Sequence, residues 1–265
     1  MSRALVTGAS SGIGASFARL LAADGFELVL VARRGDRLER AAEELGREHG
    51  VAADPVVADL TDPDDRRRVE GILAREPAFD LLVNNAGFGR YGRFDEVDAE
   101  AIEAMVAINV LAATSLARAA LPGMVARGSG AIVNVASMLA FTSSMPPSPL
   151  PLRATYAASK AFVISLTELL AGELAGTGVR VQALCPGIVR TEFHSIAHSD
   201  PPPPPPFEPM EPDEVVEASL AGLELGEVLC LPGLQDPELL GSVSEAQRAV
   251  FGAAAPGPRA ARYAR

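Results

Sequence analysis

Short aliphatic runs alternate with longer stretches rich in Ala, Leu, Glu and Arg from one end of this sequence to the other. That rhythm constrains the fold more than any other feature. The spacing predicts strands over 3–7, 27–32, 53–58, 80–84, 130–136, 179–185 and 227–231, and helices over 12–24, 35–49, 62–76, 98–127, 153–175, 212–224 and 236–250. Runs such as Leu28-Val29-Leu30-Val31-Ala32 and Ala131-Ile132-Val133-Asn134-Val135 show almost no polar alternation. A strand that is apolar on both faces belongs in a parallel sheet covered by helices on both sides. Strand–helix alternation throughout therefore argues for one doubly wound α/β domain with right-handed crossovers. The reading gives a single catalytic-size domain over 1–252 and a frayed Ala/Gly/Pro/Arg tail over 253–265.

Composition narrows the function. The 265 residues carry 23 Lys+Arg against 34 Asp+Glu, a net charge of -11. An acidic surface repels phosphate, which argues against nonspecific binding to nucleic acid or anionic lipid. No apolar run approaches the roughly 18 residues of a membrane span. Ser2-Arg3-Ala4-Leu5 enters a strand pattern at once, so no signal peptide is expected. Cys185 and Cys230 both sit in apolar runs and read as buried thiols in a reducing, cytoplasmic compartment. Three stretches break the rhythm: a proline-rich loop over 141–153, a segment with six consecutive prolines from Pro201 to Pro206, and the tail. The hexaproline excludes helix there.

Several motifs sit where strands end. Thr7-Gly8-Ala9-Ser10-Ser11-Gly12-Ile13-Gly14 follows the first strand and opens the first helix. Glycines permit a tight turn and close approach of a ligand. The helix start offers free N–H groups and a positive dipole end to a pyrophosphate. The same residues satisfy the Gly-x-Ser-x-Gly pattern of a hydrolase nucleophile, with Ser10 attacking. That alternative needs a histidine partner from His49, His194 or His198, and earlier strands that the short N-terminal segment cannot supply. Arg33-Arg34 ends the second strand, where a dinucleotide fold meets the adenosine ribose. An acid there bonds a 2′-hydroxyl and an Arg suits a 2′-phosphate; with no acid at that strand end, NADP(H) is favoured over NAD(H). Asp59-Leu60 closes the third strand; Asp59 also reads as the residue that starts the next helix, with Thr61 as its cap. Asn85-Ala86-Gly87 closes the fourth, where Asn85 and Gly87 read equally as turn formers.

Of the 23 basic residues one is a lysine, Lys160, four residues after Tyr156 in a helical stretch. Residues four apart share a helix face. An ammonium beside a phenol favours the phenolate and lowers a pKa normally near ~10, which makes Tyr156 a proton donor and acceptor near neutrality. A lone lysine falls four after a tyrosine by accident in about 2 of 264 placements, so the pair carries weight. Ser137 ends the fifth strand, where its hydroxyl either holds a substrate carbonyl oxygen or forms a turn. Asn109 is a polar residue inside an apolar helix, either linked through water to Lys160 or a satisfied core amide. Pro186-Gly187-Ile188-Val189-Arg190-Thr191 stops the sixth strand and opens a loop. His194, His198 and Asp200 in that loop are too few and too loosely held for a metal site, and none is expected.

Taken together, Thr-Gly-x-x-x-Gly-Ile-Gly, Asn-Asn-Ala-Gly, Tyr-x-x-x-Lys and Pro-Gly-x-Val-x-Thr, in this order, resemble the short-chain dehydrogenase/reductase family over about residues 3 to 193. The resemblance implies a single Rossmann-type domain with a seven-stranded parallel sheet in the order 3-2-1-4-5-6-7 and reversible hydride transfer between NAD(P)(H) and a carbonyl/alcohol pair. It implies that Tyr156 is the general acid/base, that Lys160 lowers its pKa and binds the nicotinamide ribose, that Ser137 orients the carbonyl and that Asn109 completes a proton relay. Gly8, Ser10, Ser11, Gly12, Ile13 and Gly14 hold the pyrophosphate on this reading. Arg33, with Arg34 beside it, takes the 2′-phosphate, Asp59 and Leu60 meet the adenine, and Asn85, Ala86 and Gly87 meet the adenosine side. Pro186, Gly187, Ile188 and Thr191 meet the nicotinamide end. A homodimer or homotetramer is also implied. Ser137 precedes Tyr156 by 19 residues, a wider gap than the family's, because of the proline-rich piece around Ser143 to Pro151. Ser143 and Ser144 are the alternatives to Ser137, and the added loop reads as a further wall of a substrate pocket. The hexaproline falls at the family's substrate lid, over 188–211. The competing reading is a nucleotide-sensing or scaffold protein of the same fold without turnover.

Overall fold

Residues of one strand point alternately to two separate cores. In β1 (Arg3–Thr7), Ala4 and Val6 belong to one apolar cluster and Leu5 to another. The first cluster packs Phe17 and Leu21 of α1 (Gly12–Ala23), Leu38 and Leu45 of α2 (Gly35–His49) and Val215, Val216 and Leu223 of the helix Pro212–Leu225 against one face of the sheet. The second packs Val69 and Leu73 of α3 (Pro63–Leu73), together with Leu116, Ala120 and Met124, against the other. Burial on both faces is why the central strands read as continuous apolar runs. The computed structural model describes residues 2–75, 79–146, 150, 152–193, 208–254 and 260–263.

The sheet is seven-stranded and all-parallel, in the order β3-β2-β1-β4-β5-β6-β7. Its other strands are β2 (Glu27–Ala32), β3 (Ala53–Val57), β4 (Leu81–Asn84), β5 (Gly130–Val135), β6 (Val179–Leu184) and β7 (Leu229–Cys230). All C-terminal strand ends therefore lie along one edge, with the order reversing between β1 and β4, and that edge is where α/β sheets bind ligands. The remaining helices are α4 (Ala99–Val106), α5 (Ala113–Arg127), α6 (Ala154–Glu173), α7 (Pro212–Leu225) and α8 (Glu238–Ala253). The chain divides into two compact units, Met1–Pro232, which carries the whole sheet, and Gly233–Arg265, which contains α8 and a 3-10 turn at Ala261–Tyr263.

Local chemistry sets several boundaries. The Asp62 carboxylate accepts from the backbone N–H groups of Asp64 and Asp65 and caps α3, with Pro63 at its first position. The cap expected at Thr61 is thus one residue later; the Thr61 hydroxyl donates to Asp59 instead, at 2.8 Å. Glu211 and Glu214 form a reciprocal capping box at the start of α7. β3 is an edge strand containing Pro55, with Asp54, Pro55 and Val57 exposed, so it is not buried on both faces. β7 is two residues long where five were expected.

The helix expected over 98–127 is divided by a π-helical segment, Ala107–Ala112, between α4 and α5. Counted as one, Ala99–Arg127 is long and apolar enough by length and composition to cross a membrane, which the sequence reading had not found. Its stripe of Met105, Asn109, Ala112, Leu116, Ala120 and Met124 is buried inside the fold. The proline-rich loop opens with a 3-10 turn, Met138–Phe141. It is tied back by Arg153, whose guanidinium donates to the Thr142 hydroxyl at 2.8 Å and carbonyl at 3.1 Å. His194, His198, Asp200 and the hexaproline Pro201–Pro206 lie outside the described residues.

Candidate active site

The first loop over the strand ends is built around one hydroxyl. Thr7 Oγ1 accepts from the backbone N–H groups of Asn85 and Ala86, both at 2.9 Å, and donates to the Val83 carbonyl at 3.2 Å. The Asn85 amide returns to the carbonyls of Thr7 (2.9 Å) and Gly8 (3.4 Å). Gly8 takes φ +68, and a Cβ on Gly14 would stand 2.4 Å from the Gly8 carbonyl oxygen. Only glycine fits either position. Asn85 and Ala86 thus brace the glycine-rich turn, the turn-former alternative for this segment.

The turn leads into the N-terminus of α1. Its N-cap, Ser11, makes no side-chain cap, and no acidic residue lies in the first turn. Unfilled N–H groups and a positive dipole end fit a pyrophosphate. Arg34 crosses above them. Its guanidinium donates to the Ser10 hydroxyl (3.1 and 3.2 Å) and the Ser11 hydroxyl (2.7 Å), and to the Glu192 carboxylate at 2.8 Å. Arg37 meets the same carboxylate at 2.9 Å. Arg33 instead is 64% exposed and pairs loosely with Asp59, at 3.8 Å. Arg34, not Arg33, is the guanidinium the fold places over the turn. Asp59 accepts from the Thr61 backbone N–H at 3.0 Å and Leu60 is buried, so both also serve the start of α3. Ser10, engaged by Arg34, has no histidine near it among the described residues: His49 ends α2, about 22 Å of helix away from its start.

Four further residues converge at the ends of β4, β5 and β6. Tyr156 and Lys160 lie one turn apart near the start of α6, both buried. The Tyr156 ring meets Tyr91 edge-on at 5.8 Å and Phe193 at 5.6 Å. The Ser137 hydroxyl lies beside the Tyr156 phenol, whose pKa it lowers, and accepts from the Leu139 backbone N–H at 3.2 Å. Ser143 and Ser144 are exposed, so the side chain at the phenol is Ser137 despite the long spacing. Lys160 Nζ donates to the Val135 carbonyl at 2.7 Å and stands 5.9 Å from the Tyr156 ring centre.

Burial pushes the Tyr156 phenol up, Tyr91 adds to the rise, and Ser137 opposes it. Burial pulls Lys160 down to about 8. Desolvation penalises the charged form of each group, so it moves the two apart in the direction that keeps both neutral. The one group that lowers the phenol is Ser137.

Asn109 sits in the π-helical segment, 2% exposed. Its amide donates to the Phe88 carbonyl (3.1 Å) and the Ser159 hydroxyl (3.0 Å), and accepts from the Phe88 N–H at 3.3 Å. A π-turn commonly marks a functional position in a helix. Gly87 lies in the gap: a Cβ there would stand 2.7 Å from Asn109 Oδ1 and 3.4 Å from Lys160 Nζ. The loop after β6 closes this side. The Pro186 carbonyl accepts from the Met138 N–H, Ile188 and Arg190 bridge to Met210, and Thr191 covers Gly12. A Cβ on Gly187 would stand 3.2 Å from the Met138 sulfur. The sequence reading missed Tyr91, Phe193, Arg37 and Glu192. Tyr91 is one of only three tyrosines, which was a signal; the others carry no local pattern.

The sequence profile described as short chain dehydrogenase matches residues 2–201. A galactitol 2-dehydrogenase (L-tagatose-forming) of Cereibacter sphaeroides is 41% identical over 190 residues, 72% of each chain. Among solved structures, a short-chain dehydrogenase from Sphingobium yanoikuyae in complex with NADPH superposes with a TM-score of 0.92 at 38% identity, over 99% of this chain and 100% of that one. The bulky-bulky ketone specific alcohol dehydrogenase from Comamonas testosteroni superposes with a TM-score of 0.88 at 34% identity, over 100% and 99%.

Proposed function

We propose a mechanism, a cofactor preference and a substrate class for this chain, which belongs to the short chain dehydrogenase family and is an oxidoreductase of alcohols and their carbonyl counterparts. The observation that carries the mechanism is the pairing of the buried Ser137 hydroxyl with the buried Tyr156 phenol at the strand ends. Tyr156 is the general acid/base. Burial keeps its phenol protonated, which suits donation to a carbonyl oxygen during reduction. Ser137 shares that oxygen with Tyr156, so one hydroxyl orients it while the other protonates it. Lys160, poised at about 8 and fixed by the Val135 carbonyl, holds a proton one helical turn from the phenol. Asn109 and Ser159 fix the helix face behind it.

NADP(H) fits the site better than NAD(H). The open N-terminus of α1 suits a pyrophosphate, and two guanidiniums, Arg34 and Arg37, already bind an anion beside it. The NADPH complex of a 38% identical relative supports the same choice. Ser10, Ser11, Gly12, Ile13 and Gly14 would hold the pyrophosphate, with Pro186, Gly187, Ile188 and Thr191 on the nicotinamide side. When bound, the nicotinamide supplies or accepts the hydride.

For substrate we propose a ketone or secondary alcohol with bulky groups, by likeness to the Comamonas enzyme. The aromatic wall of Tyr91 and Phe193 around Tyr156 supports an apolar substrate. Cys185 and Cys230 are both free and buried, which supports a reducing cytoplasmic compartment. Exposed Leu111 of the π-helical segment and Phe162 and Leu169 of α6 support a dimer or tetramer. The test is consumption of NADPH, followed by absorbance, against a panel of aryl and alkyl ketones of graded size. Turnover that rises with size of both flanking groups and is faster with NADPH than NADH is expected. Turnover confined to polyols, or faster with NADH, contradicts the substrate or the cofactor reading respectively.

A further inference from the structure

Glu192 sits between two residues that reach opposite parts of the site. On one side Thr191 covers the glycine-rich turn: a Cβ on Gly12 would meet its methyl at 2.9 Å. On the other, the Phe193 ring lies 5.6 Å from that of Tyr156 and would stand 3.1 Å from a Cβ on Gly89. Glu192 itself is bound by Arg34 at 2.8 Å and Arg37 at 2.9 Å, and those two guanidiniums hold its carboxyl below the usual range. The Arg34 guanidinium is meanwhile fixed on the hydroxyls of Ser10 and Ser11. One carboxylate of the chain thus occupies the cationic seat beside the N-terminus of α1.

A pair of guanidiniums that binds a carboxylate binds a phosphate better, because phosphate brings more charge and a third oxygen. The N–H donors that Arg34 and Arg37 give to Glu192 cannot serve a second anion at once. We propose that Glu192 is an internal counter-anion in the 2′-phosphate seat and is a specificity-determining residue: a 2′-phosphorylated nucleotide replaces it on Arg34 and Arg37, and a nucleotide without that phosphate leaves it in place. The exchange unties residues 191–193 from the turn, so that recognition of the phosphate is transmitted to the Phe193–Tyr156 contact. The inference rests on the NADP(H) reading given above. All three side chains are partly exposed, and exposed ion pairs are individually weak, so the effect is several-fold rather than many orders.

The experiment titrates adenosine 2′,5′-bisphosphate and 5′-AMP into the full chain by calorimetry at low ionic strength, for wild type, Glu192→Gln and Arg34→Ser. Hydrogen exchange of a peptide spanning 188–193 is followed in parallel. Wild type is expected to bind the bisphosphate more tightly than 5′-AMP, and Arg34→Ser to lose that difference. Glu192→Gln is expected to bind the bisphosphate about 3- to 10-fold more tightly with 5′-AMP unchanged. Exchange over 191–193 rises in wild type with the bisphosphate alone and is already high in Glu192→Gln. If wild type does not discriminate, or Arg34→Ser keeps the discrimination, the NADP(H) reading fails and takes the proposal with it. If that discrimination depends on Arg34 but Glu192→Gln leaves it unaltered or strengthens both ligands equally, the counter-anion role alone is overturned.

Discussion

The Lys160 ammonium is held by the carbonyl of Val135, the last residue of β5, at 2.7 Å. A buried cation with one backbone acceptor is costly to keep charged, and its pKa falls to about 8 from the 10.5 of an exposed lysine. The folded value lies below the unfolded one. Below about pH 8 the burial penalty is fully present, about 3 kcal/mol by linkage. Between 8 and 10.5 the unfolded chain binds more protons, so stability rises with pH through that window. The stability of wild type relative to Lys160→Met, from urea unfolding, should therefore increase by about 3 kcal/mol across it. A flat difference contradicts the assigned burial.

Ser137 is the one group that opposes the upward push on the Tyr156 phenol. Ser137→Ala removes it, so the phenol rises further. In the direction that oxidises an alcohol, the rising limb of the pH–rate profile should move to higher pH, and turnover should fall about 100-fold. Ser137→Thr keeps the hydroxyl and should recover much of both. An unshifted profile in Ser137→Ala counts against that influence.

Thr7 is 1% exposed and makes three hydrogen bonds that join β1 to the end of β4. Thr7→Val preserves shape but orphans two partly buried N–H groups. The expected loss is about 2 to 4 kcal/mol, measured by urea unfolding. A loss below about 1 kcal/mol shows that the turn does not depend on this hydroxyl.

Arg33 and Arg34 are adjacent in sequence but differ in placement. Arg33 is 64% exposed against Asp59, while Arg34 lies on Ser10 and Ser11. Arg34→Ser should reduce the NADPH-to-NADH affinity ratio at least about 10-fold, and Arg33→Ser by no more than about 3-fold. The reverse ranking in a fluorescence titration restores Arg33 to the role the sequence reading gave it.

Much of this arrangement was legible in the residues. The apolar runs of β1, β2, β4, β5 and β6 dictated a parallel sheet because burial on two faces leaves no place for alternation. Tyr156 and Lys160 stood out because a helix places residues four apart on one face. Ser137 was legible as a strand-end serine, but its place beside Tyr156, 19 residues on, was not in the spacing. The choice between Arg33 and Arg34 depends on which way two neighbouring side chains leave the end of β2, which periodicity does not encode. Adjacency on a helix says nothing about desolvation, which pushes the Tyr156 phenol up and Lys160 down. The Glu192 contacts join residues more than 150 positions apart and had no local signature.

The central claim is that the Tyr156 phenol carries the proton in the reaction. Its most direct test is Tyr156→Phe, which keeps the ring against Tyr91 and Phe193 and removes only the hydroxyl. NADPH affinity, read by fluorescence titration, should stay within about 3-fold of wild type while ketone reduction falls by about 1,000-fold or more. Reduction that persists within about 10-fold of wild type, with NADPH still bound, contradicts the account.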